Sequence, residues 1–519
     1  MVLINNIYPK DRQRLFTNRK KELKLIEYNV ESFLKTGLRK HLVLIGLRRI
    51  GKSLIIYEFI KRNKNKINIS YIDLKKTSME PQYFATDYIK KVLQWSLKTK
   101  EEDLLILANK LNNEKIFEQV NDFLNKKTKK NYLDQINFAF SFPELLSKLL
   151  NKKIVICIDE FQDILGMNRY KGIDDIIDIF RTHLQSQSNT FYIITGSVIT
   201  TMEKICLDDK SALFLHFNKI INLYNFTKED SFALIKKIFK QEQLSIHVKD
   251  ILFTLFKKTT GNPFYLTILT QKIIELNKLF DLEIDENLIN KAFLIELTNK
   301  NSRLYNYFNY IFENSLEKAR GKASLKSVLF ELAKEQPDSL SNLSEKLNKK
   351  SGEMRTLLKR LIEVDLVIQK QNKYLFRDNL LRKWVALFYL GINIEVTSSS
   401  KFINELLSQF QEKYQRVSTE LGRATEYEYK VKLEKKLNIK LNNYNKNNLE
   451  FDLVGKKNNI YYIFEIKHRN KPANYKDVKN FLEKVEKSEF KKIKLFFISK
   501  SGFTKQAEGL IEKNGIGIL

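Results

Sequence analysis

Three unbroken apolar runs stand out in a chain otherwise patterned for helices: HLVLI at 41–45, IVICI at 154–158 and FYIIT at 191–195. A fourth segment, INISYIDL at 67–74, has the same β character. Strands covered on both faces lose the in–out alternation, so runs of this length predict a buried parallel sheet. Between them the spacing is helical. An amphipathic helix opens in FTNRKKEL (16–23) and continues to about Leu34, with Thr17 or Asn18 as its cap and Glu22 near its first turn. Another helix follows the first strand as far as Lys61, and residues 81–150 read as helical and charged, with a lysine-rich loop around 126–130. Strands alternating with helices give an α/β fold.

The later chain changes pattern twice. Helical spacing over 324–334, 340–347 and 351–363, the last capped by Ser351 with Glu353 in its first turn, is followed by two short β runs, 367–369 and 373–376, around Gln371 and Asn372. Three helices and a hairpin predict the winged form of the helix-turn-helix, whose third helix would offer Arg355, Lys359 and Arg360 to a groove or to phosphates. From about residue 400 a helix at 421–437, β runs at 449–455 and 460–467, a helix at 474–488, a strand at 493–499 and a helix at 503–513 predict a second, smaller α/β unit.

The first apolar run ends in GLRRIGKS, which matches G-x-x-x-x-G-K-[ST] at every fixed position. The glycines let the backbone turn its N–H groups inward at a helix N-terminus, a place that favours anions. Gly46, Leu47, Arg48, Arg49, Ile50, Gly51, Lys52, Ser53 and Leu54 are therefore the expected phosphate cradle. Lys52 would reach the phosphates and the Ser53 hydroxyl would ligate Mg²⁺. The strand at 154–158 ends in Asp159 and Glu160, where ligands sit in open α/β sheets. Asp159 would hold Mg²⁺ through water, and Glu160 would orient or polarise the attacking water as the catalytic acid–base group. After the next strand, Thr195 or Ser197 is placed to contact the γ-phosphate or that water.

FTNRKKEL, GLRRIGKS, ICIDEFQ, IITGS and the TGNPFYL segment at 260–266 occur in an order that resembles the archaeal-type P-loop ATPases, relatives of the AAA+ and STAND groups. The resemblance spans roughly residues 10–300. It implies ATP as the nucleotide, with Phe16 and Arg19 near the adenine, and a helical lid at about 225–300 in which Pro263 marks a sensor-like turn. That family usually carries an arginine after the fourth strand that acts on a neighbour's nucleotide. Here the stretch is Leu213, Phe214, Leu215 and His216, so a homo-oligomer stays compatible with the sequence while an arginine finger between subunits is placed in doubt.

In the last unit, residues two apart on a strand share a face, so Glu465 and Lys467 point together, and Asp452 joins them if its strand is the neighbour. Two carboxylates and a backbone carbonyl suit Mg²⁺, and an adjacent lysine can activate water for attack on a phosphodiester. This resembles the PD-(D/E)xK nuclease superfamily, with Asp452, Glu465 and Lys467 on its motif. The resemblance also implies a further acid from the preceding helix, Glu426, with Glu428 as substitute.

Composition adjusts this picture rather than making it. The 519 residues exceed one core, and the divisions expected are a P-loop ATPase core at 1–224, a helical lid at 225–305, a winged helix at 306–395 and a restriction-endonuclease-like α/β domain at 396–519. Lys and Arg total 91 against 61 Asp and Glu, a net charge of +30 that points to a polyanionic partner, nucleic acid ahead of a membrane surface. Residues 401–519 hold 25 basic and 15 acidic side chains, a net of +10, so the excess is spread rather than confined to a tail. Two cysteines exclude a disulfide framework, no C-x-x-C pair suggests zinc, and the longest greasy stretch, 384–394, is too short to span a bilayer. The expectation is a cytoplasmic ATPase acting on DNA, with a Mg²⁺-dependent nuclease domain at its C-terminal end. The competing class is a nucleotide-gated switch or scaffold that binds DNA or a protein without cutting.

Overall fold

In the computed structural model the described residues are 13–126, 131–217, 219–244, 246, 249–319, 321–392, 433–434, 436–446, 449–467, 472–499 and 501–518. The chain divides into two compact units, Met1–Thr397 and Ser398–Leu519.

The first unit is built on a five-stranded sheet. Helix α1 (Lys20–Thr36) leads into β1 (Leu42–Ile45), then α2 (Lys52–Asn63), β2 (Asn68–Asp73), α3 (Pro81–Leu97), α4 (Leu104–Asn109), α5 (Glu114–Lys126) and α6 (Tyr132–Leu150). Strand β3 (Ile154–Asp159), α7 (Ile176–Ser186), β4 (Thr190–Gly196), α8 (Ile199–Cys206) and β5 (Lys219–Asn222) complete it. The order is β2-β3-β4-β1-β5 with every pair parallel. Alternation along β1 sends Leu42 and Leu44 to the face covered by α1 and α2, and Val43 and Ile45 to the face covered by α3, α6 and α7. Both faces are thus apolar, which is why the strand reads as an unbroken run. The loops at the C-terminal ends of β1, β3 and β4 are brought side by side by this order.

One cap reading does not hold. The N-cap of α1 is Arg19, in the left-handed region at φ 61, with no side-chain cap bond, and Thr17 and Asn18 lie outside it. The turn is set instead by the Arg19 guanidinium, which reaches the carbonyls of Ile50 (3.3 Å) and Tyr224 (2.7 Å).

Four helices follow: α9 (Lys228–Gln241), α10 (Lys249–Thr259), α11 (Pro263–Phe280) and α12 (Glu286–Thr298). Asn262 caps α11 by accepting from the N–H groups of Phe264 and Tyr265, with Pro263 in the first turn where no N–H is needed. Then come α13 (Arg303–Ala319), α14 (Lys322–Lys334), β6 (Asp338–Ser339), α15 (Leu340–Lys346), α16 (Ser351–Glu363), β7 (Val367–Lys370), β8 (Lys373–Phe376) and α17 (Asn379–Leu390). The three strands form an antiparallel sheet of order β6-β8-β7, and its hairpin turns through Gln371 and Asn372 at φ 46 and 61, the primed geometry that matches strand twist. Ser351 proves to be the first helical residue rather than the cap; Lys350 occupies the cap position without a side-chain bond. Met354, Leu357, Leu358 and Leu361 bury one stripe of α16, leaving Arg355 and Lys359 exposed on the other.

The second unit has β9 (Leu441–Lys446), β10 (Leu449–Lys457), β11 (Ile460–Lys467), α18 (Tyr475–Glu486), β12 (Ile493–Ser499), α19 (Lys505–Lys513) and β13 (Gly517–Ile518). The sheet order is β13-β12-β11-β10-β9, antiparallel from β9 to β11 and parallel from β11 to β13. Strand β9 is an addition to the sequence expectation. Helices α18 and α19 cover one face through Phe451, Ile463, Phe481, Phe497 and Ile511, while Leu441, Leu453, Phe464 and Ile466 fill the other. No helix among the described residues is long and apolar enough to cross a membrane.

Candidate functional site

At the end of β1 the chain makes the tight turn that its glycines permit. A Cβ on Gly46 would lie 2.8 Å from the Leu223 carbonyl oxygen, so a side chain there forces backbone apart. Gly51, the N-cap of α2, sits at φ 107, where a Cβ would meet nothing within 4 Å, so glycine is needed there for its backbone angle rather than for space. Lys52 is 5% exposed, and its ammonium donates to the carbonyls of Gly46 (2.8 Å) and Leu47 (3.0 Å) inside the turn. Burial pulls its pKa down to about 8, against the opposing pull of Glu160 and Asp159. Arg49, at φ 63, lays its guanidinium over the rings of Phe264 (4.3 Å) and Tyr307 (4.7 Å), and the Tyr307 hydroxyl donates to the Arg48 carbonyl at 3.4 Å. Ile50 is buried under the loop, and Leu54 packs with the apolar face of α2.

Asp159 ends β3 beside this loop. Its Oδ2 accepts from the Ser53 hydroxyl at 2.5 Å and from the Tyr71 hydroxyl at 2.8 Å. Its Oδ1 accepts from the Thr195 hydroxyl and from the Glu160 N–H at 3.1 Å. Glu160 then turns into the left-handed region at φ 57, which swings its carboxylate out of the sheet. There it accepts from Ser197 (2.5 Å), Gln162 (2.6 Å) and Lys75 (3.2 Å). Burial alone would raise the Glu160 pKa, but Lys52, Lys75, Ser197 and Gln162 outweigh it and bring the group down to about 2. The two open candidates thus divide the work: Thr195 holds Asp159 and Ser197 holds Glu160. Tyr71 and Lys75 were not anticipated, because strand register and a turn beyond β2 bring them here; Gln162, in the ICIDEFQ segment, is brought by the turn that follows β3.

Phe16 packs partly buried at the edge of the α1–α2 core, its carbonyl accepting from Lys237 at 2.7 Å. Arg19 lies over the Phe226 ring at 4.8 Å and also pairs with Glu22 at 3.1 Å. Its guanidinium is therefore engaged with protein, tying the phosphate loop to the exit of β5. Pro263 stands at the start of α11, one residue before the ring that carries Arg49.

In the second unit the Asp452 carboxylate accepts from the backbone N–H of Ile466 at 2.5 Å, so β10 and β11 do bring it beside Glu465. Glu465 is 3% exposed, and its carboxylate accepts from Lys467 (2.7 Å) and from Lys484 of α18 (3.2 and 3.3 Å). Burial disfavours the Lys467 charge, but Glu465 first and then Asp452 and Asp477 raise its pKa overall. Lys484 is a second cation that the sequence reading lacked. Glu426 and Glu428 lie outside the described residues, and among the described ones no group of three or more His, Cys, Asp or Glu stands together as a metal site.

Set beside known proteins, the first unit has clear counterparts. Over 74% of this chain and 99% of its own, the Walker-type ATPase PABY2304 of Pyrococcus abyssi superposes with a TM-score of 0.51 at 17% identity, a likeness of fold. The ORC2 protein of Aeropyrum pernix, in ADPNP–ADP complexes, matches more loosely (TM-score 0.46, 13% identity, 72% and 97% of the two chains). So does the RuvB Holliday junction branch migration motor of Thermotoga maritima (0.37, 12%, 73% and 96%). Neither of these two overlaps is close enough to bear on what this chain does. No protein of curated function matches the sequence. Residues 16–269 match the profile described as an ATPase domain predominantly from Archaea. The loop, the Ser53–Asp159 pair and Glu160 all fall inside that span: the chain carries an archaeal-type P-loop ATPase domain.

Proposed function

We propose that this chain binds and hydrolyses ATP with Mg²⁺ and acts on nucleic acid, with a Mg²⁺-dependent nuclease domain at its C-terminal end. The observation that carries the reading is the constellation around Lys52. An ammonium is buried inside an open, glycine-turned loop, next to a hydroxyl–carboxylate pair and a second carboxylate on the adjoining strand end. These groups fit a nucleotide and its cation: Gly51 caps α2 without a side chain, and Ser53 and Asp159 are hard oxygen donors already in contact. Mg²⁺, when bound, offsets charge on the phosphates. Lys52 fixes the phosphates. Glu160, an ionised and weakly basic carboxylate, orients water by accepting its hydrogen bond rather than by taking a full proton.

The divisions that go with this reading are a core at 1–224, a lid at 225–305, a winged helix at 306–395 and a PD-(D/E)xK nuclease-like domain at 396–519. The winged-helix assignment is supported by the order α14-β6-α15-α16-β7-β8 and by its hairpin. DNA contact is supported by exposed Arg355 and Lys359 on α16 together with Lys370 and Lys373 at the wing tip. The nuclease assignment is supported by Asp452, Glu465 and Lys467 meeting at one place, with Asp452 and Glu465 as the metal ligands and Lys467 acting on water.

A second reading, in which the last unit binds DNA or a protein partner without cutting, is favoured by one specific feature. Two lysines already neutralise Glu465, and Asp452 is committed to a backbone N–H. Cleavage of plasmid and branched DNA, with Mg²⁺ or Mn²⁺ and with or without ATP, separates the two. Under the first reading wild type cuts, while Asp452→Ala, Glu465→Gln and Lys467→Ala do not and keep their ATPase rate. Absence of cutting by wild type, or equal cutting by the three variants, rejects the nuclease assignment.

A further inference from the structure

We infer that Tyr71 is a positioning residue for the divalent cation of the nucleotide site, acting through Asp159. The inference rests on the Mg²⁺–ATP reading above and adds a residue that no motif contains. Tyr71 lies in β2, level with Cys157 of β3, and Asp159 follows two residues on, on the same face. The Tyr71 hydroxyl donates to Asp159 Oδ2 at 2.8 Å.

Asp159 is held on every side. Two donors reach each of its oxygens: Ser53 and Tyr71 on Oδ2, Thr195 and the Glu160 N–H on Oδ1. The plane of the carboxylate is thereby fixed. Glu160 N–H and Thr195 belong to strand ends on the water-activating side, and Ser53 is itself the expected cation ligand. Tyr71 is the donor on Oδ2 that makes no other demand on the site, so its contribution is the orientation of the carboxylate.

Burial argues the same way. Tyr71 is 7% exposed and packs in the core between the sheet and α2. A phenylalanine would fill that place equally well without a hydroxyl to desolvate, and a buried hydroxyl costs stability unless it is hydrogen-bonded. Groups that orient a metal-binding carboxylate in this way commonly contribute about 10–100-fold in metal affinity.

Tyr71→Phe removes the hydroxyl and keeps the ring. The test uses the full-length chain, a fluorescent ATP analogue in the presence and absence of Mg²⁺, and Mn²⁺ binding followed by electron paramagnetic resonance with a non-hydrolysable ATP analogue. The expected result is unchanged analogue affinity without metal and Mn²⁺ affinity lower by about 10–100-fold. In turnover, the Mg²⁺ concentration needed for half-maximal rate rises while kcat at saturating Mg²⁺ is kept. Mn²⁺ affinity equal to wild type overturns the role of Tyr71 and leaves the Mg²⁺–ATP reading standing. Loss of metal-free affinity by the same factor also overturns it, since the change then acts on the cradle as a whole. If wild type shows no response to Mg²⁺ or Mn²⁺, the underlying reading fails with it, and Asp159→Asn serves as the reference for that result.

Discussion

Replacing Lys52 by methionine should make the nucleotide-free protein more stable while abolishing tight ATP binding. In the unfolded chain Lys52 carries its proton up to 10.5, whereas in the fold burial lowers that to about 8. The difference corresponds to roughly 3 kcal/mol that the empty site spends on holding a buried charge at neutral pH. Because the folded value lies below the unfolded one, the penalty is full below pH 8 and fades as pH rises from 8 towards 10.5. Methionine removes the charge and nearly keeps the shape, but strips the donor from the Gly46 and Leu47 carbonyls, returning about 1–2 kcal/mol. The net expectation at pH 7 is a gain of about 1–2 kcal/mol, or a few degrees in the transition of the ATPase domain by calorimetry. The same value predicts that ATP affinity weakens above pH 8, by on the order of 30-fold at pH 9.5, because the phosphates need the protonated form. A Lys52→Met variant that melts below wild type at pH 7, together with ATP affinity flat from pH 7 to 9.5, would falsify this account of the buried ammonium.

Glu160→Gln should bind ATP and retain it, since the phosphate contacts stay while the carboxylate proposed to orient water is lost; filter-binding and single-turnover hydrolysis check this, and wild-type turnover removes Glu160 from that role. Arg377→Ala should destabilise the first unit by about 3 kcal/mol, because Asp365 (11% exposed) loses the guanidinium at 3.2 Å and among the described residues keeps only Thr200 as a donor. Adding Asp365→Ala should recover part of that loss, and a double variant less stable than Arg377→Ala denies the pairing. Nucleic-acid affinity should fall steeply and log-linearly with salt, given the +30 charge, and a flat salt titration rejects the polyanion reading.

What could be read from the sequence was what local geometry dictates. GLRRIGKS declares itself because a left-handed glycine at 51, a close backbone approach at Gly46 and a lysine at the helix start are all short-range demands. Strands β1 to β4 were legible for a similar reason: burial on both faces leaves its mark on each strand separately, whereas β5, an edge strand that is largely exposed, carries no such run and went unread. The hairpin at Gln371 and Asn372 was legible because its turn is local too. The cap of α1 was misread because a distant partner decides the matter. Arg19 opens α1 in place of Thr17 or Asn18 because its guanidinium must reach Tyr224, a residue met only after the whole sheet has been built. Lys484 was invisible beside Glu465, since only the docking of α18 on the second sheet brings them together.

The same division explains why the nucleotide loop can be recognised from eight residues yet is not held by them. Arg49 lies over the adjoining rings of Phe264 and Tyr307, Ile50 is gripped by Arg19, and Gly46 presses on the Leu223 carbonyl. The Glu160 carboxylate is likewise set by Ser197, three residues before Thr200, which is bonded to Asp365 at the turn into β7 and to Arg377 just after β8. Asp365 and Arg377 flank the β7–β8 hairpin on either side, so both of its roots rest on the segment that leaves β4. Each of these grips comes from a residue whose type is unremarkable in sequence and whose role is created by the register of β4 and the packing of α8 against α16. A motif search finds the groups that touch phosphate. The groups that fix their geometry are spread along the chain from Arg19 to Arg377, and only the fold assembles them.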